Sequence, residues 1–295
     1  MSRYASLPGG ATLFYTDDGA GDTLLLVHGW TCDSNDYLWQ VAHFRSTCRV
    51  IAPDLRGHGR SAVLPHGYDA RTLARDLVEL LDLLGVATCV AVGHSLGGLI
   101  VSVMAVEYPE RVRAVVCLDP AYGVDDAELL GCRALLERMS GTDWPCHIAR
   151  EFASWERPST PAYFRELHVR RMLSTDRAVV RETFQQLFGG TEPLAGRARS
   201  EAYLARRACP VLVISALGGR ERVEWESRLS RHPASRFLHL PLGHWPQQDA
   251  PDLINQLLEQ WLDALCHGPR HQESSDRSIL VYKEKEGLDG FISEA

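Results

Sequence analysis

Lysine is nearly absent from this chain. Only Lys283 and Lys285 occur, both in the last segment, and every other basic side chain is arginine. With a formal net charge of −7 and no basic stripe, the chain lacks the electrostatic footprint of a nucleic-acid binder. The same acidic balance argues against docking on anionic membranes. The cysteines (Cys32, Cys48, Cys89, Cys117, Cys132, Cys146, Cys209 and Cys266) form no Cys-x-x-Cys pair and no zinc-ribbon spacing. Several lie in apolar runs, where a free thiol packs as a small hydrophobe. Reduced thiols, no metal and, with no signal-peptide pattern at Met1-Ser2-Arg3, a cytoplasmic location are the expectations.

One charge-free run invites a different reading. Between Leu83 and Val106 there is no Asp, Glu, Lys or Arg, a length that would satisfy a crude membrane-span criterion. Glycines and the His94-Ser95 pair divide it into a short strand and a helix, so no span is expected. Internal repeats and long low-complexity tracts are also missing. What remains is the composition of a soluble globular chain, 45% hydrophobic and 23% charged over 295 residues.

Short apolar runs alternate with helical patterns, which predicts an α/β fold with a mostly parallel sheet flanked by helices. Strands are expected at 23–27, 49–52, 89–92, 114–118, 211–215 and 236–240. From Asp69, an N-cap residue, leucines at 73, 77, 80, 81 and 84 recur at helical spacing, and Gly85 stops the helix. Pro251 opens another such pattern running to Cys266. Between Tyr122 and Ala208 no strong strand appears, and the stretch reads as an amphipathic helical cap. The expected division is a core of residues 1–121 and 209–266, a cap of 122–208, and a polar C-terminal tail of 267–295. In that tail the run 279–282 is the one stretch suited to pairing.

The chemistry-bearing motif is Gly93-His94-Ser95-Leu96-Gly97. It follows an apolar strand and opens an apolar helix, which is the setting of a strained turn that exposes a nucleophilic serine. Small residues at 93 and 97 are needed where strand and helix crowd together. His28-Gly29-Trp30 follows the first buried strand, and the Trp30 and Leu96 amides are candidates for an oxyanion hole. His28 reads as a brace for that loop or a substrate contact. Gly243-His244-Trp245 follows the last strand, where a Ser…acid…His order places the base. The acid has two possible origins. Strand 211–215 is followed by Ala216-Leu217-Gly218-Gly219-Arg220-Glu221, with no Asp, whereas strand 114–118 ends directly in Asp119-Pro120. Asp119 is the first choice, with Glu221 and Glu224 next.

These motifs, with Asp54-x-Arg56-Gly57-His58-Gly59-x-Ser61, resemble the α/β-hydrolase superfamily over roughly residues 10 to 266. The resemblance implies a helical cap between the family's sixth and seventh strands, here 114–118 and 211–215. Most members carry the acid after the later strand. Subgroups with the acid after the earlier one include haloalkane dehalogenases, zearalenone-type lactonases and cofactor-free quinolone dioxygenases. Dehalogenases and epoxide hydrolases of this fold need a carboxylate where this chain has Ser95. Three functions stay open. The first is a serine hydrolase of esters or lactones, using Ser95, His244 and Asp119. The second is a cofactor-independent 3-hydroxy-4-quinolone 2,4-dioxygenase that uses a His244–Asp119 dyad and releases carbon monoxide. The third is a non-catalytic binding protein on the same fold. The cap aromatics Trp144, Phe152, Trp155, Tyr163, Phe164, Phe184 and Phe188, with Trp30 and Trp245, suggest an apolar or aromatic ligand. The expected partner is a small-molecule substrate, with no cofactor, nucleic acid or membrane, and the chain is expected to be a monomer or homodimer.

Overall fold

The computed structural model describes residues 2–267 apart from 159, 191 and 192, together with the strand pairs 280–281 and 292–293. The rest of the expected C-terminal tail lies outside the described residues.

Among the described residues, ten strands form one sheet. They are β1 (Ser2–Ser6), β2 (Thr12–Asp18), β3 (Thr23–Val27), β4 (Arg49–Pro53), β5 (Cys89–His94), β6 (Val112–Leu118), β7 (Val211–Ser215), β8 (Arg236–His239), β9 (Leu280–Val281) and β10 (Ile292–Ser293). Their order is β1-β2-β4-β3-β5-β6-β7-β8-β9-β10. From β4 to β9 neighbours run parallel, while β1–β2, β2–β4 and β9–β10 are antiparallel. The sequence reading overlooked the β1–β2 hairpin. Its residues are mixed polar and apolar, and only the register against β4 makes them strands.

The helices are α1 (Leu38–Phe44), entered through a 3-10 turn at Ser34–Tyr37, α2 (Ala70–Leu83), α3 (Leu96–Glu107), α4 (Asp126–Arg138), α5 (Trp144–Trp155), α6 (Ala162–Ser174), α7 (Arg177–Phe188), α8 (Arg197–Leu204), α9 (Gly219–Ser227), α10 (Pro246–Asp249) and α11 (Pro251–His267). Asp69 caps α2 as anticipated, accepting from the Arg71 and Thr72 amides at 3.0 Å. The charge-free run resolves into β5 and α3, and among the described residues no helix is long and apolar enough to cross a membrane.

Strand alternation divides the core in two. Leu25, Ile51, Ala91 and Val115 pack with Leu73, Leu77 and Ile100 on the α2–α3 side. Leu24, Val50, Val90 and Val116 pack with Phe44, Ile254, Leu258 and Trp261 on the α1–α11 side. Each fully buried Leu or Ile contributes about 1.5–3 kcal/mol.

Register then places the site. Val27 pairs with Gly93, Gly93 with Cys117, and Cys117 with Val213. The residues just beyond, at 28–30, 94–96, 118–120 and 214–216, therefore emerge at one edge of the sheet. The five helices α4–α8 lie between β6 and β7 as a cap over that edge. A parallel bridge from Val124 to Gly196 closes the base of this insertion. Arg171 on α6, paired in a buried site with Asp36 and reaching Asp33, ties it down on the far side.

Candidate active site

Ser95 stands between β5 and α3 at φ 52°, ψ −116°, a backbone region that a non-glycine residue occupies only under strain. Its glycine neighbours make that turn possible. A Cβ on Gly93 would run into the Gly97 backbone, and one on Gly97 into the Val27 carbonyl. The Ser95 amide donates to the Leu118 carbonyl at 3.0 Å, and the Ala121 amide donates to the Ser95 carbonyl at 2.9 Å. The turn is thus fixed to the end of β6.

Three of the anticipated residues meet here. The Ser95 hydroxyl donates to His244 Nε2 at 3.0 Å. His244 Nδ1–H donates to Asp119 Oδ2 at 2.6 Å. Asp119 Oδ1 accepts from the Ala216 and Leu217 amides at 2.7 and 3.1 Å. The end of β7, which offers no carboxylate of its own, supplies main-chain donors to an acid from β6. Asp119 adopts φ 41°, a second strained position. All three side chains are buried. Burial alone pushes the Asp119 carboxyl up, but the His244 hydrogen bond and charge, with the Ala216 amide, hold it below its ordinary value of 3.8. Glu221 and Glu224 play no part in this relay. Glu221 pairs with Arg197 at 2.6 Å and Glu224 lies near Arg220 at 4.0 Å, both at the surface.

The His244 backbone is held from two sides. Its amide donates to the Trp155 carbonyl at 2.9 Å, and its carbonyl accepts from His94 Nε2–H at 2.6 Å. Burial and the neighbouring His244 lower the His94 pKa from 6.5 to about 3, so that ring is neutral. Among the described residues, no protein acceptor is found for the amide of Trp30 or of Leu96.

A cavity of about 330 Å³ opens beside Ser95, His244 and Asp119. Its aromatic wall comprises Trp30, Phe152, Trp155, Phe184, Phe188 and Trp245, so Trp30, Trp155 and Trp245 are placed as expected. The Trp30 indole N–H is anchored on the Val180 carbonyl of α7 at 3.0 Å. Two expected ligand contacts lie elsewhere. Trp144 shares a helix face with Trp155 but sits at the other end of α5, about 16 Å away at 1.5 Å per residue; it lies beneath the Arg177 guanidinium. His28 has no free ring nitrogen: Nδ1–H donates to the Gly29 carbonyl at 2.7 Å, and Nε2 accepts from the Leu55 amide at 2.9 Å. It braces the loop carrying Trp30, with His58 packed against it. Tyr163 is exposed and Phe164 packs on Trp39, so neither joins the wall.

Sequence reasoning missed several wall residues: Cys32, Glu128, Cys132, Glu151, Ser215 and Arg222. Nothing in the local sequence marks them, since the charged ones sit in segments that read as surface helix. Among the described residues, no group of three His, Cys, Asp or Glu side chains is arranged to hold a metal ion.

The sheet order, the strained serine turn and the helical insertion define the class. The family model for the alpha/beta hydrolase fold matches residues 22–220, and the chain belongs to that family. It is similar to bifunctional epoxide hydrolase 2 of Sus scrofa, 26% identical across 90% of this chain and 56% of that protein. The chain thus spans little more than half the length of that relative and of its Mus musculus counterpart. A bifunctional esterase/perhydrolase of Acinetobacter calcoaceticus is 38% identical over a shorter stretch, 36% of this chain and 40% of its own. Among solved structures, a thermophilic esterase from Thermogutta terrifontis superposes with a TM-score of 0.76 at 27% identity, covering 90% of this chain and 99% of that one.

Proposed function

We propose that the protein is a serine hydrolase that cleaves an ester or lactone of a small apolar or aromatic substrate. The hydrogen-bonded relay from Ser95 Oγ through His244 to Asp119 carries this reading. Ser95 Oγ attacks the substrate carbonyl carbon as His244 Nε2 takes its proton. Asp119 holds the imidazole in the accepting tautomer and stabilises the imidazolium. The negative charge on the former carbonyl oxygen falls to the Trp30 and Leu96 amides, each such donor contributing about 3 kcal/mol to the transition state. Collapse of the tetrahedral intermediate re-forms the carbonyl and breaks the bond from its carbon to the alkoxy oxygen, and His244 returns the proton to that leaving oxygen. Water then attacks the acyl-serine with His244 again as base, releasing the acid and restoring Ser95.

The esterase relatives support this class. The epoxide hydrolase relatives do not transfer their named reaction, since this fold performs that chemistry from an elbow carboxylate and Ser95 stands there instead. In this reading residues 1–121 and 209–266 supply the relay, and residues 122–208 supply most of the aromatic wall that selects the substrate.

The test pairs active-site labelling with turnover. A fluorophosphonate should modify Ser95 alone, and a panel of p-nitrophenyl esters and lactones should be hydrolysed at rates indifferent to oxygen. Ser95→Ala should leave only the residual rate supported by binding and the oxyanion amides. An oxygen-dependent turnover of an alkylquinolone that releases carbon monoxide and survives Ser95→Ala would replace the hydrolase reading with cofactor-free oxygenation.

A further inference from the structure

One charged side chain in the wall of the Ser95 cavity has no counter-charge. The acidic and basic wall residues are Asp119, Glu128, Glu151 and Arg222. Asp119 is held by His244 and two main-chain amides, and Glu128 pairs with Arg222 at 2.8 Å. Glu151, on α5, is left over. Among the described residues its carboxylate enters no hydrogen bond or ion pair, and the Ser154 hydroxyl reaches only its main-chain carbonyl, at 2.6 Å. The residue is half-buried rather than enclosed, so a ligand can reach it. Its charge is felt across the gap to α4. There the Cys132 thiol, also in the wall, is pushed up from 9.0 to about 12 by burial first and then by Glu151 and Glu128.

Aromatic rings occupy the same stretch of wall. Phe152 follows Glu151 and Trp155 lies one turn further on, with ring centroids 5.5 Å apart, and both line the cavity. Trp155 is also the residue whose carbonyl holds the His244 amide. Glu151 therefore stands about 6 Å along the α5 axis from that point, four residues at about 1.5 Å each. On α4, a Cβ at the exposed Gly131 would meet nothing within 4 Å, so there is open space beside Cys132.

A ligand that fills this cavity strips water from Glu151. A neutral ligand leaves the carboxylate desolvated and unpaired, which costs free energy. An anion adds repulsion. A cation supplies the missing counter-charge and is attracted by the neighbouring rings. We infer that Glu151, with Phe152 and Trp155, forms a subsite for an organic ammonium group on the substrate, joined by a short linker to the ester carbonyl that Ser95 attacks. This deepens the hydrolase reading and rests on it for the bond that is cleaved.

Three non-hydrolysable ethers on one skeleton test the subsite without turnover: (2-benzyloxyethyl)trimethylammonium, its carbon isostere benzyl 3,3-dimethylbutyl ether, and 3-benzyloxypropanoate. Binding is read by quenching of intrinsic tryptophan fluorescence at about 0.1 M salt, where exposed charges more than about 10 Å apart are screened. The wild-type protein should bind the cation most tightly and the anion most weakly. Glu151→Gln, which keeps the size and removes the charge, should raise the ratio of cation Kd to isostere Kd about ten-fold, between the effects of breaking an exposed and a buried ion pair. Glu151→Asp should keep most of the wild-type ratio. Glu259→Gln, which removes the same charge from the exposed side of α11, should leave the ratio within about two-fold. A ratio unmoved by Glu151→Gln, in protein with wild-type thermal unfolding, overturns the subsite. So does a wild type that binds the anion as tightly as the cation. An equal shift in Glu259→Gln also overturns it, because net charge rather than Glu151 would then select the cation. None of the ethers carries an acyl group, so failure of fluorophosphonate to label Ser95 would count against the hydrolase reading while the Kd ratios still decide the subsite.

Discussion

Replacing Asp119 with Asn should cost far more activity than stability, and the structure says why. The two carboxylate oxygens have different partners. Oδ1 accepts from two main-chain amides at the end of β7, and Oδ2 accepts from His244 Nδ1–H. The amides of Ala216 and Leu217 are fixed donors, so the Asn carbonyl must take the Oδ1 position. The Asn NH₂ group then faces His244 Nδ1. Two donors meet unless the imidazole proton moves to Nε2, and in that tautomer Nε2 no longer accepts from Ser95. The expected loss is about 10⁴-fold in kcat, as for other relays trapped in the wrong tautomer, or about 5.5 kcal/mol of activation free energy. Stability should change little, because both amides keep their acceptor. Asp119→Ala should lose activity and also stability, since it strands two buried N–H groups at about 1–3 kcal/mol each. The wild-type carboxyl lies below its ordinary pKa of 3.8. Its stabilising contribution is therefore present above 3.8 and lost as pH falls through the lower folded value. The assay is kcat for the p-nitrophenyl ester that the wild type turns over fastest, with a urea unfolding curve for each variant. An Asn variant that keeps more than about a tenth of wild-type kcat would refute the assignment of tautomer control to Asp119.

Glu221→Gln and Glu224→Gln should leave kcat within about two-fold of wild type, as surface substitutions outside the relay do; a large loss in either would return the acid to the β7 side. Arg171→Met should destabilise the fold by about 3–5 kcal/mol in urea unfolding, because it leaves the buried Asp36 carboxylate without its partner. Adding Asp36→Leu should recover most of that loss, and no recovery would mean that Arg171 acts through packing alone. His58, His94 and His168 have pKa values lowered from 6.5 to about 3, 3 and 4, with burial as the largest cause in each. These rings stay neutral when folded but take up protons when unfolded, so stability is full above 6.5 and falls with pH down to the folded values. Between pH 7 and pH 5 each should cost about 2 kcal/mol, visible as a falling urea midpoint and as imidazole proton resonances that do not titrate in that window. Trp155→Ala should raise KM through loss of cavity wall while kcat changes less, because Trp155 binds His244 through its main-chain carbonyl; a kcat loss as large as that of Asp119→Asn would contradict this.

The elements legible in the sequence are those with one-dimensional causes. Strands β3 and β7 were delimited to the residue because they are continuous β-branched or leucine runs, the first between Asp22 and His28-Gly29 and the second between Pro210 and the glycines at 218 and 219. The meeting of Ser95 and Asp119 was legible because each follows directly on a strand whose register fixes it, whereas His244, five residues beyond β8, is placed by its main-chain bonds to Trp155 and His94. The choice of Asp119 over Glu221 rested on where a carboxylate is missing, and the structure fills that gap with the Ala216 and Leu217 amides, which no side-chain pattern announces. The cap was legible only as helix. Its aromatic residues looked equivalent, yet Phe152 and Trp155 reach the cavity while Trp144 does not, since position along α5 decides this and periodicity reports only the face. Arg222 was hidden for a similar reason. Arg220-Glu221-Arg222 reads as solvated helix, and only the docking of α9 on Tyr122 and Glu128 buries the second arginine.

The cap and the relay are one mechanical unit. The His244 amide is bound to the end of α5 through the Trp155 carbonyl. The next residue, Trp245, stacks on His168 of α6 at 3.7 Å between ring centroids and 16° between planes. His168 also hydrogen-bonds Gln248 at 3.0 Å, in the short helix that follows. Arg171, one turn further along α6, enters the buried pair with Asp36. A displacement that lifts α5 and α6 from the core therefore breaks a hydrogen bond to His244, a ring stack beside it and a buried ion pair together. The loss is concerted, and it removes the main-chain support of His244 along with the buried ion pair. The helical insertion thus bears on the proposed chemistry in two separable ways. Its side chains shape the cavity, while the main chain at the end of α5 holds His244.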